Sequence, residues 1–470
     1  MTASPAPPPR PSAGVTVDSG TVASGRRVLM RWLRGFAVVA IIGGLGALVL
    51  DHDTGRIGHQ AVLTSLVAVS VAAAVVLHGL ILGRPLTAGH VGIAVAALLV
   101  GIVAGINGRT PAALILLVLS AAILVRPRGS QSQPDALPAV SSLIDRTPGD
   151  PLAPFAMTAG KSYVFSADVK AALAYRAVAG FAVVSGDPIG DCARYPDVVA
   201  SFATLCQAQG WRILVLGASA QRLSLWRDES VTGIRLRALP IGRDVVVDVN
   251  RFDLVGRRKR NLRQAVQRTR NAGVTTDVIA ESDIDDALRA ELLDVMRSSH
   301  KSVGAERGFS MILGCALSGR YPGVWLNIAR DRSGRIQGFH RYASAGNGTD
   351  LSLDLPWRRS DAPNGVDERL TVDMIEWAKA RGVQRVSLAF APFPDLFGGE
   401  RSSEVGVRAL RALAHAGDRL IRLESLYRYV RKFDAMSEWR YVLLPLVDVL
   451  PAAVVLLTLE LAPRRPARGV

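Results

Sequence analysis

Cysteine is scarce in this chain. Three residues in 470, Cys192, Cys206 and Cys315, lie far apart and are odd in number. That spacing excludes a disulfide framework, and without any Cys-x-x-Cys or Cys/His cluster no metal site is expected. Buried thiols in a reducing compartment are the expectation. Acid is also in short supply: 40 Asp and Glu stand against 56 Lys and Arg, a formal charge of +16 and a pI near 10.5. Such a balance points to polyanionic partners. Only 20% of residues are charged and the mean hydropathy is +0.25, which points to a membrane protein. The scattered serines, Ser299-His300 among them, form no recognisable nucleophile motif. No signal peptide is expected, because the first apolar run starts late and no small-residue cleavage site follows it.

The apolar residues are concentrated near the N-terminus. Residues 1–25 are rich in Pro, Ala and Ser and read as disordered. Residues 26–128 read as a transmembrane domain of about four helices, at Phe36–Leu50, Ala61–Leu82, Ala88–Ile106 and Pro111–Val125. Arg26, Arg27, Arg31 and Arg34 precede the first segment, Arg84 follows the second, and Arg126 and Arg128 follow the fourth. The positive-inside rule then places the N-terminus and the large C-terminal part in the cytoplasm of a multi-pass protein of the cell (inner) membrane. Gly43, Gly44, Gly46, Gly101 and Gly105 suit close helix packing. No acid or base other than His78 sits mid-span, and His78, near a helix end, reads as incidental.

Residues 129–160 are polar and Pro-rich and read as a linker. Beyond them lie two α+β units, 161–253 and 274–441, on either side of a helix at 254–273. The first shows strands at Ala171–Val178 and Phe181–Ser185 about the turn Ala179-Gly180. A second turn, Gly186-Asp187-Pro188-Ile189-Gly190, follows, then a helix at Pro196–Gln209 and strands at Arg212–Leu216 and Val245–Val249. The second shows a helix at Asp283–Ser299 and a meander of Val324–Ala329, Gln337–Ala343 and Thr349–Leu353. A helix at Val366–Ala380 and a strand at Arg385–Ala391 complete it. Strands, a helix and a further strand in each unit suggest duplication, without a residue-level repeat. A helix at Val405–Ala416 follows. Residues 442–470 form an apolar segment and a basic tail. Pro445, Asp448 and Pro451 interrupt the apolar part, which suits a packed or interfacial segment better than a fifth span.

The run Arg257–Arg270 carries many cations and no acid. Leu262, Ala265 and Val266 fall at helical spacing, which predicts a helix with a narrow apolar stripe and a broad cationic face. A lone charge run is usually a solvated face. Here the missing acids and the place between two folded units favour a phosphate-rich partner, RNA or the anionic surface of a membrane. His300 and His340 could serve as bases, but a hydrogen-bonded or solvated side chain is the commoner reading of such a residue.

The segment LSLDLPWRRSDAPNGVDERLTVDMIEWAKARGVQRVSLAFAPFPDL, Leu351 to Leu396, resembles the C-terminal synthase domain of the phosphatidylglycerol lysyltransferase family, the multiple peptide resistance factors. Asp354 matches the family's Asp, Asp361-Ala362-Pro363-Asn364-Gly365 its loop, and Ala391-Pro392-Phe393 its strand end. The Gly186–Gly190 turn, the basic run, Ser425-Leu426-Tyr427, Lys432-Phe433 and Trp439-Arg440-Tyr441 also look like the family, in order, from about Lys161 to Tyr441. Trp357 stands where the family has Arg, and Glu368 where it has Asp.

The resemblance implies two tandem acetyltransferase-like (GNAT) folds joined by the basic helix. It also implies transfer of an aminoacyl group from a charged tRNA to a hydroxyl of phosphatidylglycerol. An aminoacyl ester is already activated, so no cofactor is implied. The site must take the acceptor's proton, stabilise an oxyanion and hold two polyanions. Asp354 and Glu368 are the catalytic candidates; their bland reading is a cap or an ion pair. Arg257, Arg258, Lys259, Arg260, Arg263, Arg268 and Arg270 are candidates for tRNA. Arg358, Arg359, Lys432 and Arg440 are candidates for lipid or phosphate. Gly186, Asp187 and Gly190 form a turn near the site, though such turns are more often only turns. The anionic phospholipid would lose negative charge on modification, which weakens the binding of cationic peptides. Two other readings stay open: an acyl-CoA-dependent transferase, for which the Gln/Arg-x-x-Gly-x-Gly/Ala phosphate loop is missing, and a non-catalytic membrane-tethered RNA- or lipid-binding protein. The amino acid, the lipid and the oligomeric state are left open.

Overall fold

The computed structural model describes residues 59–85, 87–299, 312–392 and 429–461. The sequence expectations at Phe36–Leu50, His300, Val405–Ala416 and Ser425–Tyr427 lie outside them. The chain divides into two compact units, 1–127 and 128–470.

The first unit holds three apolar helices, α1 (His59–Ile81), α2 (Ala88–Ile106) and α3 (Thr110–Leu124). Thr87 caps α2 by accepting from the His90 amide, and Pro111 opens α3, where its missing N–H costs nothing. Gly101 lets α2 approach Leu116 of α3: a Cβ there would lie 3.1 Å from the Leu116 Cβ. Among the described residues one helix, Ala88–Ile106, is long and apolar enough to cross a membrane; Val67–Ile81 and Thr110–Leu124 are shorter. A four-helix count therefore does not follow from the described residues.

The second unit is a mixed α/β fold on one twelve-stranded sheet. Its elements run α4 (Leu137–Asp145), β1 (Ser162–Phe165), β2 (Ala171–Val178), β3 (Phe181–Ser185), β4 (Ile189–Gly190), α5 (Tyr195–Gln209), β5 (Arg212–Ser219), α6 (Leu223–Arg227), α7 (Glu229–Thr232), β6 (Arg237–Asp248), α8 (Arg260–Asn271), β7 (Thr275–Ala280), α9 (Asp286–Ser298), β8 (Val324–Arg330), β9 (Ile336–Ala345), β10 (Asp350–Arg358), α10 (Val366–Ala380), β11 (Arg385–Pro392), β12 (Met436–Leu444) and α11 (Val449–Leu461). The order across the sheet is β1-β2-β3-β5-β12-β6-β11-β10-β9-β8-β7, with β4 on β2.

Each half repeats one scheme. A meander leads into a helix, and the strand after it runs parallel to the last meander strand: β3 with β5, and β10 with β11. The central strands are exchanged. β6, from the first half of the chain, pairs with β11, whereas β12, from the second, pairs with β5. β6 and β12 pair with each other and close the gap, so the two expected lobes share one sheet.

Residues 129–160 are not a bare linker. Val140, Leu143 and Ile144 of α4, with Leu152 to Met157, are buried against β2 and β9 in one apolar cluster. Proline and polar residues disguised that packing in the sequence. The hairpin turn between β2 and β3 uses Ala179 (φ 49°) and Gly180 (φ 83°), the paired positive φ that matches strand twist. α5 covers one face of the first half through Val198, Val199, Phe202 and Cys206. α11 covers the other through Ala452, Val455 and Leu459. In the second half α9 packs on Phe339, Leu355 and Trp357, while α8 and α10 share a core with Tyr342, Leu351 and Val386.

Candidate functional site

α8 forms as its pattern predicts. Leu262, Ala265, Val266 and Thr269 are buried, and Arg257, Arg258, Arg260, Arg263, Arg268 and Arg270 are exposed. Its apolar stripe lies against the start of α10, where Gly365 makes room. That glycine sits at φ 103°, and a Cβ there would lie 2.9 Å from the Ala265 carbonyl oxygen. The first turn of α8 is tied to the segment before β12. Arg258 pairs with Asp434 at 3.2 Å, and Lys259 donates to the Phe433 carbonyl while lying over the Phe252 ring. Partial burial lowers the Lys259 pKa, opposed by Asp434. Arg263 donates to the carbonyls of Leu254 and Gly256, and Arg270 lies 3.9 Å from Glu376. The side chains of Arg257, Arg260 and Arg268 have no hydrogen-bond or ion-pair partner among the described residues.

The same segment carries Lys432, whose ammonium donates to Glu368 Oε1 at 2.5 Å. Glu368 and its neighbour Asp367 occupy the first turn of α10, where the helix dipole favours acids. Asp367 meets Arg358 at 3.6 Å and His340 Nε2 at 3.2 Å. An acceptor-only carboxylate there assigns the ring proton to Nε2, so His340 Nδ1 accepts from the Tyr342 hydroxyl at 3.4 Å. Thr371 lies 3.5 Å from the same nitrogen and bonds the Tyr429 hydroxyl, which in turn donates to the Asp367 carbonyl. Burial raises the pKa of both Tyr342 and Tyr429, so both stay neutral donors. Glu368, Arg358, Lys432 and the cationic helix therefore converge at one end of α10, joined by a polar network.

The other expected residues lie elsewhere. Asp354 occupies the bulge where β10 slips register against β9, between Leu353 and Leu355. Both its oxygens are engaged: Oδ2 accepts from Arg341 Nη1 at 2.6 Å, and Oδ1 from the Leu313 amide at 2.9 Å. Arg341 also grips Glu281 with Nε and Nη2, and the side chains of all three are wholly buried. Burial works against the Arg341 charge, but Asp354 and Glu281 more than offset it and raise its pKa. Arg341 and His340 are neighbours on β9 and point to opposite faces. Asp354 and Glu368 thus do not form one acid–base pair.

Arg359 is also consumed by the fold. It donates to Asp294 at 2.5 Å, to the Ile336 carbonyl at 2.7 Å and to Ser298 at 3.3 Å, clamping α9 to the sheet. Arg440 is buried among three carboxylates: Asp244 and Asp150 at 2.7 Å each and Asp187 at 3.5 Å. Asp187 itself accepts from the Ser219 amide. Its pKa is pushed up to about 6 by burial and by Asp150, against the pull of Arg440. Gly190 (φ 97°) closes on the Lys170 carbonyl, which would lie 2.2 Å from a Cβ. The Gly186–Gly190 turn is thus a brace between β3, β5 and β12, and Arg440, its side chain 3% exposed, is enclosed by its own acids rather than open to an outside phosphate. Its three acids come from residues far apart in sequence, which is why no local motif announced them. His340 stood out in the sequence and is hydrogen-bonded as read there; Asp367 was missed, its one signal being a second acid beside Glu368.

The model of the family described as "Phosphatidylglycerol lysyltransferase, C-terminal" matches residues 141–444. The chain belongs to this family. It is 54% identical over 411 residues to the MprF-like domain protein Rv1619 of Mycobacterium tuberculosis, covering 87% of this chain and 84% of that one. It is 34% identical over 290 residues to the lysylphosphatidylglycerol biosynthesis bifunctional protein LysX of Mycobacterium avium. That match covers 61% of this chain but only 24% of LysX, so the shared part is about a quarter of that protein. Among solved structures it resembles the C-terminal domain of a putative lysylphosphatidylglycerol synthetase from Agrobacterium fabrum. The TM-score is 0.60 at 22% identity, covering 71% of this chain and 99% of that one. It also resembles L-PGS from Bacillus licheniformis, with a TM-score of 0.58 at 21% identity, covering 72% and 99%. At those identities the likeness establishes the fold.

Proposed function

We propose that this family member is a membrane-anchored aminoacyltransferase. It moves an aminoacyl group from a charged tRNA to a hydroxyl of phosphatidylglycerol or a related lipid at the cytoplasmic leaflet. The observation that supports this most is the convergence at the head of α10. Arg257, just before α8, and Arg260 and Arg268 on it have no side-chain partner among the described residues, and α8 packs against the start of α10, whose first turn carries Glu368, paired with Lys432, and Asp367, paired with the half-exposed Arg358. The α8 arginines suit the phosphates of a tRNA acceptor stem. Arg358 and Lys432 suit the lipid phosphate, the first by its planar fork and the second as a point charge. Glu368 takes the acceptor proton when substrate draws Lys432 away, and returns it to the tRNA ribose oxygen as the old ester bond breaks and the new one forms. Asp354 is a positioning residue in this scheme: it accepts from Arg341 at the bulge of β10 and directly from the Leu313 amide, fixing both. The two halves act as tandem acyltransferase-like lobes sharing one sheet, and the N-terminal unit is the membrane anchor.

The test is reconstitution of the full chain in vesicles of defined lipids with a pool of charged tRNAs, read by mass spectrometry. An aminoacyl lipid whose formation is abolished by RNase is expected. Folded protein that yields none refutes the proposal, and product formed from acyl-CoA without tRNA refutes the donor. Glu368→Gln should lower kcat by about 100-fold or more, the usual scale for losing a general base. Unchanged kcat removes Glu368 from that role.

A further inference from the structure

We infer that α11 seats the second unit on an anionic lipid surface through the side that the sheet leaves bare. Ala452, Val455 and Leu459 bury one side of this helix against Phe181, Val183, Leu214, Val442 and Leu444. The opposite side carries Leu450 and Val454, and the 3-10 turn Leu446–Asp448 just before it carries Leu446 and Val447; they are exposed by 77, 64, 59 and 89%. They recur at helical spacing and form one stripe. A helix apolar on both sides has no side suited to water. Single exposed aliphatic residues are ordinary, but a continuous stripe marks a surface that something covers.

The charge around the stripe identifies the occupant. Arg237 is exposed and faces Leu444 across the β6–β12 pair, two residues from Leu446. The nine residues after the helix, 462–470, contain Arg464, Arg465 and Arg468 and no acid. Asp448, the acid nearest the stripe in sequence, is turned inward onto Arg212 at 2.7 Å. A second copy of the chain would bring these arginines against their own kind. An anionic bilayer satisfies both features at once, acyl chains against the stripe and headgroup phosphates against the cations. At 13 residues α11 is about 20 Å long, too short for a hydrocarbon core of about 30 Å, so it lies along the interface. This goes beyond the transfer reading and does not rest on it, since a surface that binds lipid without any transfer satisfies it equally.

The test uses the full chain in vesicles, in a background of Cys192→Ser, Cys206→Ala and Cys315→Ser. An environment-sensitive fluorophore is placed at Leu450→Cys or Val454→Cys, and for comparison at Ala287→Cys on the exposed side of α9. In vesicles containing phosphatidylglycerol, iodide quenching at positions 450 and 454 should be at least fivefold weaker than at 287. Nitroxides on the lipid tails should quench the first two and not the third. The inference is overturned if position 450 is as open to iodide as position 287. It is also overturned if 450 is shielded from iodide but untouched by the lipid nitroxides, the signature of a protein occupant. Nitroxide quenching should fall at least twofold in purely zwitterionic vesicles, and equal quenching would overturn the assignment to an anionic surface.

Discussion

Replacing Arg257, Arg260 and Arg268 together with Ala tests what α8 is for. These three are exposed and without side-chain partners among the described residues, so their loss disturbs no contact of the fold. Arg263 is left in place because it caps the carbonyls of Leu254 and Gly256. If each arginine neutralises one tRNA phosphate, each contributes about 0.7–0.9 to the slope of log K against log salt. The triple variant should then show a slope smaller by about 2–3. Between about 50 and 200 mM salt the unaltered chain would lose about 20–40-fold more affinity than the variant. Fluorescence anisotropy of a labelled charged tRNA, titrated at several salt concentrations, gives the slope directly. Binding to phosphatidylglycerol vesicles, measured on the same proteins, should change little. An unchanged slope would refute the assignment to tRNA, and equal losses on tRNA and vesicles would make α8 a plain membrane patch.

Arg341→Met would leave Asp354 and Glu281 buried together without a counter-charge, at a cost of about 3–5 kcal/mol. Denaturant unfolding should show it, with Asp354→Asn costing less because Glu281 still holds Arg341 by two bonds; an unchanged midpoint for Arg341→Met would mean the cluster is no brace. Gly365→Ala forces a side chain into a left-handed backbone worth about 1–3 kcal/mol and against the Ala265 carbonyl. It should reduce tRNA affinity as well as stability, by displacing α8 from α10. The Asp187 carboxyl binds its proton more tightly folded, at about 6, than its ordinary 3.8. The native state therefore holds the extra proton between those values, and stability should fall as pH rises from about 4 to about 6. Asp187→Asn should flatten that part of a pH–stability profile, and a profile with the same slope would show that another group titrates there.

Much of the second unit was legible along the chain because its signals are local. The strands Ala171–Val178 and Phe181–Ser185 and the helix Val366–Ala380 stand where alternation, turn glycines and helical spacing put them. β6 extends well before Val245, a stretch hidden in the sequence because Pro240 and Gly242 interrupt its alternation. Pairing with β12 holds that stretch extended, and at Gly242 the partner carbonyl of Ala391 leaves no room for a Cβ. β7 and β12 were missed for a related reason: they are held as strands by neighbours remote in sequence. α4 was hidden in a stretch that composition marked as a linker.

The sequence by itself determined the cationic helix, since Leu262, Ala265 and Val266 can be buried together only if the arginines face out. It also determined the family, through an ordered series of short motifs, and the excess positive charge that makes a polyanion the natural partner. Tertiary structure alone decided which charged residues remain available. Asp354, Arg359 and Arg440 look as exposed in sequence as Glu368, Arg358 and Lys432. The first three are enclosed by partners drawn from distant elements, because a buried charge persists only when paired. The second three meet at the head of α10, where the approach of Gly365 to Ala265 brings the cationic helix beside them.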